Sequence, residues 1–169
     1  PDLGLRILEY LDRRRAAMLA LLERLVLCEA PSHDPVTQAA VMRVLADSFA
    51  SRAYRPLVLS GTQSGGMLLA MPSERPRGRP HQLILGHCDT VWPVGTLETM
   101  PIERRNGRLT GPGTYDMKGG LATMSYALRA LDALALAPQV TPVVLINSDE
   151  EIGSPDSRRS IARLARLAA

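Results

Sequence analysis

The sequence is poor in aromatic residues, which make up 4% of its 169 positions, so the core has to be built from aliphatic side chains. Lysine is nearly absent: of 20 basic residues, Lys118 alone is not arginine. Only two cysteines occur, Cys28 and Cys88, and their spacing matches no zinc or redox pattern. Two reduced thiols in a cytoplasmic protein are the expected state. No apolar run approaches the roughly 18 residues of a membrane span. No basic stretch followed by an apolar one marks a leader, so neither a membrane partner nor export is expected. The first residue is Pro1 rather than Met, which suggests trimming.

What is present is ordinary for a globular domain. Hydrophobic residues make up 46% and charged residues 22%, which excludes wholesale disorder. The length argues for one domain that buries its core without disulfides. The formal net charge is +3 and the isoelectric point about 9.3. The arginines are spread along the chain, and their densest run, Arg13 to Arg15, lies in a helical pattern. With few aromatics to stack bases, no nucleic-acid partner is expected.

Apolar spacing predicts a helix over 5–27, with Leu11, Met18, Leu21, Leu22 and Leu25 on its buried side. Asp34 followed by Pro35 predicts the start of a second helix, with Val41, Val44, Leu45 and Phe49 facing the core. Strands are expected at 54–60 and 66–71, then a surface loop from Pro72 to Pro80. Leu83-Ile84-Leu85 reads as a strand buried on both faces. Residues 102–110 read as a hairpin turning at Asn106-Gly107. A helix is expected from Met117 to about Leu136, packing through Leu121, Met124, Leu128 and Leu131. Val143 to Ile146 reads as a second buried strand, and a last helix is expected to start with Ser154 as cap and to bury Ile161, Leu164 and Leu167. The resulting fold class is α/β, a three-layer sandwich with a mixed, mostly parallel sheet flanked by helices. The strands at 54–60 and 66–71 and the hairpin are expected to pair antiparallel at one side.

In such sheets ligands bind beyond the carboxyl ends of the strands. His87 lies past one such end, Asp149-Glu150-Glu151 past the other, and Asp116 just before the crossover helix. Taken singly, each has a plain explanation: a satisfied histidine, a solvated acidic turn, a helix cap. Together they place one imidazole and several mutually repelling carboxylates at one edge, and a divalent, zinc-like cation accounts for that better. Asp89, two residues from His87, is placed to orient its ring. Glu150 and Glu151 are adjacent and point apart, so one is expected to ligate metal and the other to handle the proton of a water. Other motifs fail. Gly111-Pro112-Gly113 lacks the third glycine of a dinucleotide loop, Lys118 is outside any phosphate-loop pattern, and no serine sits in a nucleophile elbow.

Three segments, His87-Cys88-Asp89-Thr90-Val91-Trp92-Pro93, Gly111 to Gly120 and Ser148 to Ser154, resemble the N-terminal signatures of the dizinc exopeptidases. That family includes glutamate carboxypeptidase, aminoacylase, acetylornithine deacetylase and succinyl-diaminopimelate desuccinylase. Gly111-Pro112-Gly113 and the Trp92-Pro93 and Gly95-Thr96-Leu97 segments look most like the glutamate carboxypeptidase branch. The resemblance covers nearly the whole chain and implies the N-terminal part of a zinc-peptidase catalytic domain. It implies that His87 ligates one zinc, Asp116 bridges two and Glu151 ligates the second. Glu150 would be the general base and Asp89 the group that orients His87. The Asp116–Met117 bond would be cis. Two further ligands, an acid on a strand beyond the last helix and a late histidine, and a lid or dimerisation domain are expected outside these 169 residues.

Two functional classes follow. One is a zinc-dependent metallopeptidase or amidohydrolase that cleaves an amide beside a free carboxylate, with a small peptide or N-acyl amino acid as substrate. The 169-residue chain alone would then be inactive and bind zinc weakly. The other is a truncated or remnant module that binds metal weakly or serves protein interaction. An uncovered sheet edge near the C-terminus would favour self-association.

Overall fold

A computed structural model describes residues 2–51, 53–74 and 78–168. The chain opens with two helices, α1 (Leu3–Arg13) and α2 (Arg15–Leu27), rather than the one expected. The break falls at Arg14, which leaves helical geometry while its N–H returns to the Leu11 and Asp12 carbonyls. Packing accounts for the separation. Leu21, Leu25 and Val26 of α2 are buried, whereas α1 buries no residue fully and leaves Leu3, Leu5 and Leu8 in solvent. Helix α3 (Pro35–Phe49) starts as expected, with the Asp34 carboxylate accepting the N–H groups of Val36 and Thr37.

Strands β1 (Tyr54–Leu59), β2 (Met67–Pro72), β3 (His81–His87) and β6 (Thr141–Asn147) form one sheet in the order β1-β2-β6-β3. The expected loop between β2 and β3 falls in part on residues 75–77, outside the described residues. The sheet is mixed, but the expectation of a mostly parallel one is corrected. Only β3 and β6 run parallel, while β1·β2 and β2·β6 are antiparallel. The hairpin of β4 (Glu103–Arg105) and β5 (Arg108–Thr110) stands apart as its own two-stranded sheet instead of joining the larger one. Asn106 and Gly107 both take positive φ, which is the turn geometry that matches strand twist in a two-residue loop.

The core lies between the sheet and the layer of α2, α3 and α5 (Gly119–Ala133). Leu68 and Ala70 of β2 and Val144 and Ile146 of β6 meet Leu25, Val41, Leu45 and Leu121 there. Gly86 permits close approach of α5, since a Cβ there would lie 2.9 Å from Leu121 and 3.2 Å from Met124. Strand β6, flanked on both sides, is buried at all seven positions. Strand β3 is not buried on both faces, because it is an edge strand. Leu85 is 43% exposed, on the same cross-sheet row as Leu57, Leu69 and Leu145. After β3 come a short helix α4 (Thr96–Thr99), the hairpin and an irregular turn, Thr114–Lys118. The last helix, α6 (Arg158–Leu167), begins three residues later than expected and buries none of its residues fully. Ser154 is not its cap. It takes φ 58° and accepts a hydrogen bond from the Asn147 amide.

The Gly61–Gly66 turn between β1 and β2 is folded around one carboxylate, Asp156. It accepts the N–H groups of Thr62, Gln63 and Ser64 at 2.8–2.9 Å and both hydroxyls of Thr62 and Ser64. The Thr62 hydroxyl and these other donors hold the Asp156 carboxyl well below the usual carboxylate range, against the opposing effect of burial. A folded-state pKa below the unfolded one stabilises the fold above the unfolded pKa, and that stability is lost as pH falls. We therefore expect the urea midpoint to drop between about pH 5 and pH 2, and Asp156→Asn to flatten that slope. An unchanged slope in urea titrations of the variant would remove this role.

Candidate metal centre

The parallel register pairs His87 with Asn147, so β3 and β6 end level with one another. The chain leaving β3 carries His87 and Asp89, and the chain leaving β6 carries Asp149, Glu150 and Glu151. The turn before α5 brings Asp116 to the same edge. His87 Nε2 lies 3.0 Å from Asp116 Oδ1 and 4.0 Å from Glu150 Oε2. One ligand atom from each of His87, Asp116 and Glu151 lies within 4.8 Å of the others, the one such group among the described residues. The Asp116–Met117 peptide bond is cis.

All five residues singled out from sequence meet here, though at different depths. Asp89 is fully buried. Its carboxylate accepts the Ser32 hydroxyl at 2.6 Å and the N–H groups of Glu150 and Glu151 at 3.2 Å each. His87 Nδ1 lies 3.4 Å from Asp89 Oδ1 and 3.1 Å from the Asp89 carbonyl oxygen. Burial pushes the Asp89 carboxyl up, but the His87 and Ser32 hydrogen bonds, with those from Glu151 and Glu150, outweigh it and keep it ionised. Asp89 thus aligns the ring and also holds the turn that carries both glutamates. The structure adds that second contact to the one read from spacing.

The field at the site is anionic. Burial alone would lower the His87 pKa, yet Asp89, Asp116 and Glu150 together raise it to about 9. Burial pushes the Glu151 carboxyl up, His87 opposes this, and Asp116, Glu150 and Asp89 add to it as like charges. One imidazole nitrogen and two carboxylates are the donor types that suit a divalent ion of the zinc kind, and three protein ligands with an open position is the pattern of catalytic zinc sites. The donor set fits such an ion.

The acidic triplet splits. Asp149 points inward, fully buried. Its carboxylate accepts the Ser157 hydroxyl at 2.6 Å, the Asn147 amide, and the N–H groups of Asp156 and Ser157. Glu150 and Glu151 are left outside, on the single turn Glu150–Ile152. Gln38 escaped sequence reasoning. It is fully buried in α3, donates to the Pro31 and Ser148 carbonyls at 2.9 Å each, and accepts the Gly65 N–H at 2.6 Å. Its one signal was a long polar side chain on a mostly apolar helix face. Lys118, the lone lysine, is also buried, and its ammonium donates to the Cys28 carbonyl at 2.8 Å beneath the site. Burial lowers its pKa to about 8. The Cys28 and Cys88 thiols are unbridged. Among the described residues no helix is long and apolar enough to cross a membrane.

Residues 83–168, just over half of the chain, match peptidase family M20/M25/M40. Carboxypeptidase G2 of Pseudomonas sp. (strain RS-16) is 30% identical over 155 residues, covering 90% of this chain and 37% of its own length. Succinyl-diaminopimelate desuccinylase of Xylella fastidiosa (strain M23) is 40% identical over 98 residues, covering 53% of this chain and 25% of its own. The fold is that of human carnosine dipeptidase 1, with TM-score 0.78 at 21% identity over 94% of this chain and 37% of that one. An M20 family metallo-carboxypeptidase of Sulfolobus solfataricus superposes with TM-score 0.69 at 19% identity, over 90% and 35%. The chain thus spans about a third of the length of the proteins it matches in this way.

Replacing Gln38 by Met keeps the volume but takes the partner from the buried Ser148 carbonyl and the Gly65 N–H, while the Pro31 carbonyl keeps the Asp34 N–H. At about 1–3 kcal/mol for each unsatisfied group, we expect Gln38→Met to lower unfolding stability by on the order of 3 kcal/mol. A loss under about 1 kcal/mol in denaturant titration would show that water or relaxation replaces these bonds.

Proposed function

The chain belongs to peptidase family M20/M25/M40, and from that premise we propose that it carries the N-terminal part of a metal-dependent amidohydrolase centre. The reaction is hydrolysis of an amide beside a free carboxylate, with small peptides or N-acyl amino acids as substrates. Relatives named carboxypeptidase and desuccinylase support this substrate class. The observation that carries the reading is the convergence of the His87, Asp116 and Glu151 donor atoms within 4.8 Å, with Glu150 alongside. Zinc is the ion proposed. His87 would hold one ion and Glu151 a second, with Asp116 a ligand to both. A bound divalent ion supplies Lewis-acid polarisation of the amide carbonyl and lowers the pKa of water to about 7.

The rest is the work of the chain's own groups. Asp89 fixes the ring of His87 through the Nδ1 side, which leaves Nε2 facing the carboxylates. Glu150 has a half-exposed side chain and its backbone N–H anchored on Asp89, so its carboxylate is held at the site yet reachable from solvent. It takes a proton from the attacking water and returns it to the leaving nitrogen, as a general base and then a general acid. Glu151, anchored on the same carboxylate, faces the donor cluster.

Calorimetric titration tests the metal reading on this chain directly. Zinc should bind saturably, and Asp116→Asn and His87→Ala should each weaken it at least tenfold, since each removes a proposed ligand. Affinity unchanged from that of the unsubstituted chain in both variants would overturn the ligand set. On the protein as expressed from its own gene, Glu150→Gln should lower kcat for N-acyl amino acid hydrolysis by about 100-fold or more, with zinc affinity retained. Undiminished turnover would exclude Glu150 as the base.

A further inference from the structure

A groove of about 460 Å³ opens between the Pro31–Asp34 turn and the loop that follows His87. Glu151 forms part of its wall, so it is continuous with the donor cluster. Pro31, Val91, Pro93, Val94 and Ile152 form an apolar wall, and Ser32, His33, Asp34 and Thr90 line the rest. Val91 and Val94 are 66% and 56% exposed, a poor use of two valines unless something covers them.

Both walls are built in advance and tied to each other. Thr90 N–H donates to the Ala30 carbonyl at 2.9 Å, and Ser32 N–H donates back to Thr90 at 3.3 Å. The Glu29 carboxylate accepts the N–H groups of Gly95 and Leu97 at 2.8 and 3.0 Å and so anchors the far end of the loop. A rigid groove loses little entropy when a ligand enters. No arginine or lysine lines it. Its charged groups include Glu151 and Asp34, and Asp34 is committed to capping α3. A carboxylate would meet like charge here, and an uncharged aliphatic or aromatic group would not.

We propose that this groove is a substrate subsite for a neutral apolar group, the acyl or side-chain portion flanking the scissile amide. The substrate's free carboxylate is recognised elsewhere. The proposal rests on the hydrolase reading for what the ligand is, but the groove can be tested without metal or turnover.

The probes are N-acetyl-leucinamide, N-acetyl-phenylalaninamide, N-acetyl-glycinamide and N-acetyl-leucine, titrated into the metal-free chain and followed by methyl NMR. The leucine and phenylalanine amides should shift the Val91, Val94 and Ile152 methyls saturably. They should bind about tenfold more tightly than the glycine amide, as burial of one such side chain predicts. N-acetyl-leucine, with its carboxylate free, should bind more weakly than its amide. Val94→Ser, and independently Val91→Ser, should weaken the leucine amide about fivefold or more. Both positions are solvent-exposed, so neither change threatens the fold. Equal affinity for glycine and leucine amides, tighter binding of the carboxylate form, or shifts that do not saturate would each overturn the subsite. Zinc titration of the same sample reports on the donor cluster separately. A failed metal site with a working groove, or the reverse, therefore identifies which reading is wrong.

Discussion

The arrangement depends on one buried negative charge. Asp89 has no contact with solvent, and an ionised carboxylate in that position is tolerated only when its lone pairs are taken up. They are, by the Ser32 hydroxyl, by two successive backbone N–H groups of the Glu150–Glu151 turn, and by the neighbouring His87 ring. These donors come from three separate parts of the sequence. To satisfy Asp89, the loop after α2, the end of β3 and the end of β6 must lie together. The donor cluster is the outward face of that requirement. The same carboxylate that orients the histidine also sets where the two glutamates stand relative to it.

A second layer keeps that turn from drifting. Asp149 faces inward and takes the N–H groups that open the path to α6, while Asn147 bonds Asp149, Ser154 and Ser157 together. Gln38 holds the Ser148 carbonyl from the other side, and Asp156 pins the segment to the β1–β2 turn. Networks of this kind are strong only when complete, because a single missing partner leaves a buried polar group exposed to a low dielectric. The acidic stretch is therefore divided by function. Its buried members are structural, and its outward members remain free for chemistry.

Much of this was legible in the sequence, and the parts that were not share a cause. Periodicity and turn chemistry are local, so α3 with its Asp34 cap, the Asn106-Gly107 turn and the β6 run could be read directly. That His87, Asp116 and the Asp149–Glu151 run share one edge followed from one further rule, that ligands gather at the carboxyl ends of parallel strands, while the choice of Glu151 over Glu150 as ligand came from the family resemblance. What escaped depends on partners distant in sequence. The exposed side of β3 follows from its place at the sheet edge, which no local pattern encodes. The late start of α6 follows from Asp149 taking N–H groups that Ser154 was expected to bond. The inward turn of Asp149 required knowing that Asn147, Ser157 and two backbone amides would surround it. Gln38 serves three segments at once, and only the folded chain brings them to it.

The charge distribution gives the last step. The chain is rich in arginine, yet the charges that act most strongly on His87 and Glu151 are carboxylates and the imidazole itself. The one lysine nearby is buried, with its ammonium on the Cys28 carbonyl beneath the site. A surface with so many guanidinium groups could have neutralised this edge and does not. Keeping cationic side chains away preserves an attraction for a small, multiply charged cation, which a guanidinium fork would otherwise satisfy. It also leaves the adjoining groove without an arginine or lysine, beside the apolar wall of Val91, Val94 and Ile152. The same anionic field therefore favours a cation at the donor cluster and, in the proposed subsite, an uncharged group beside it.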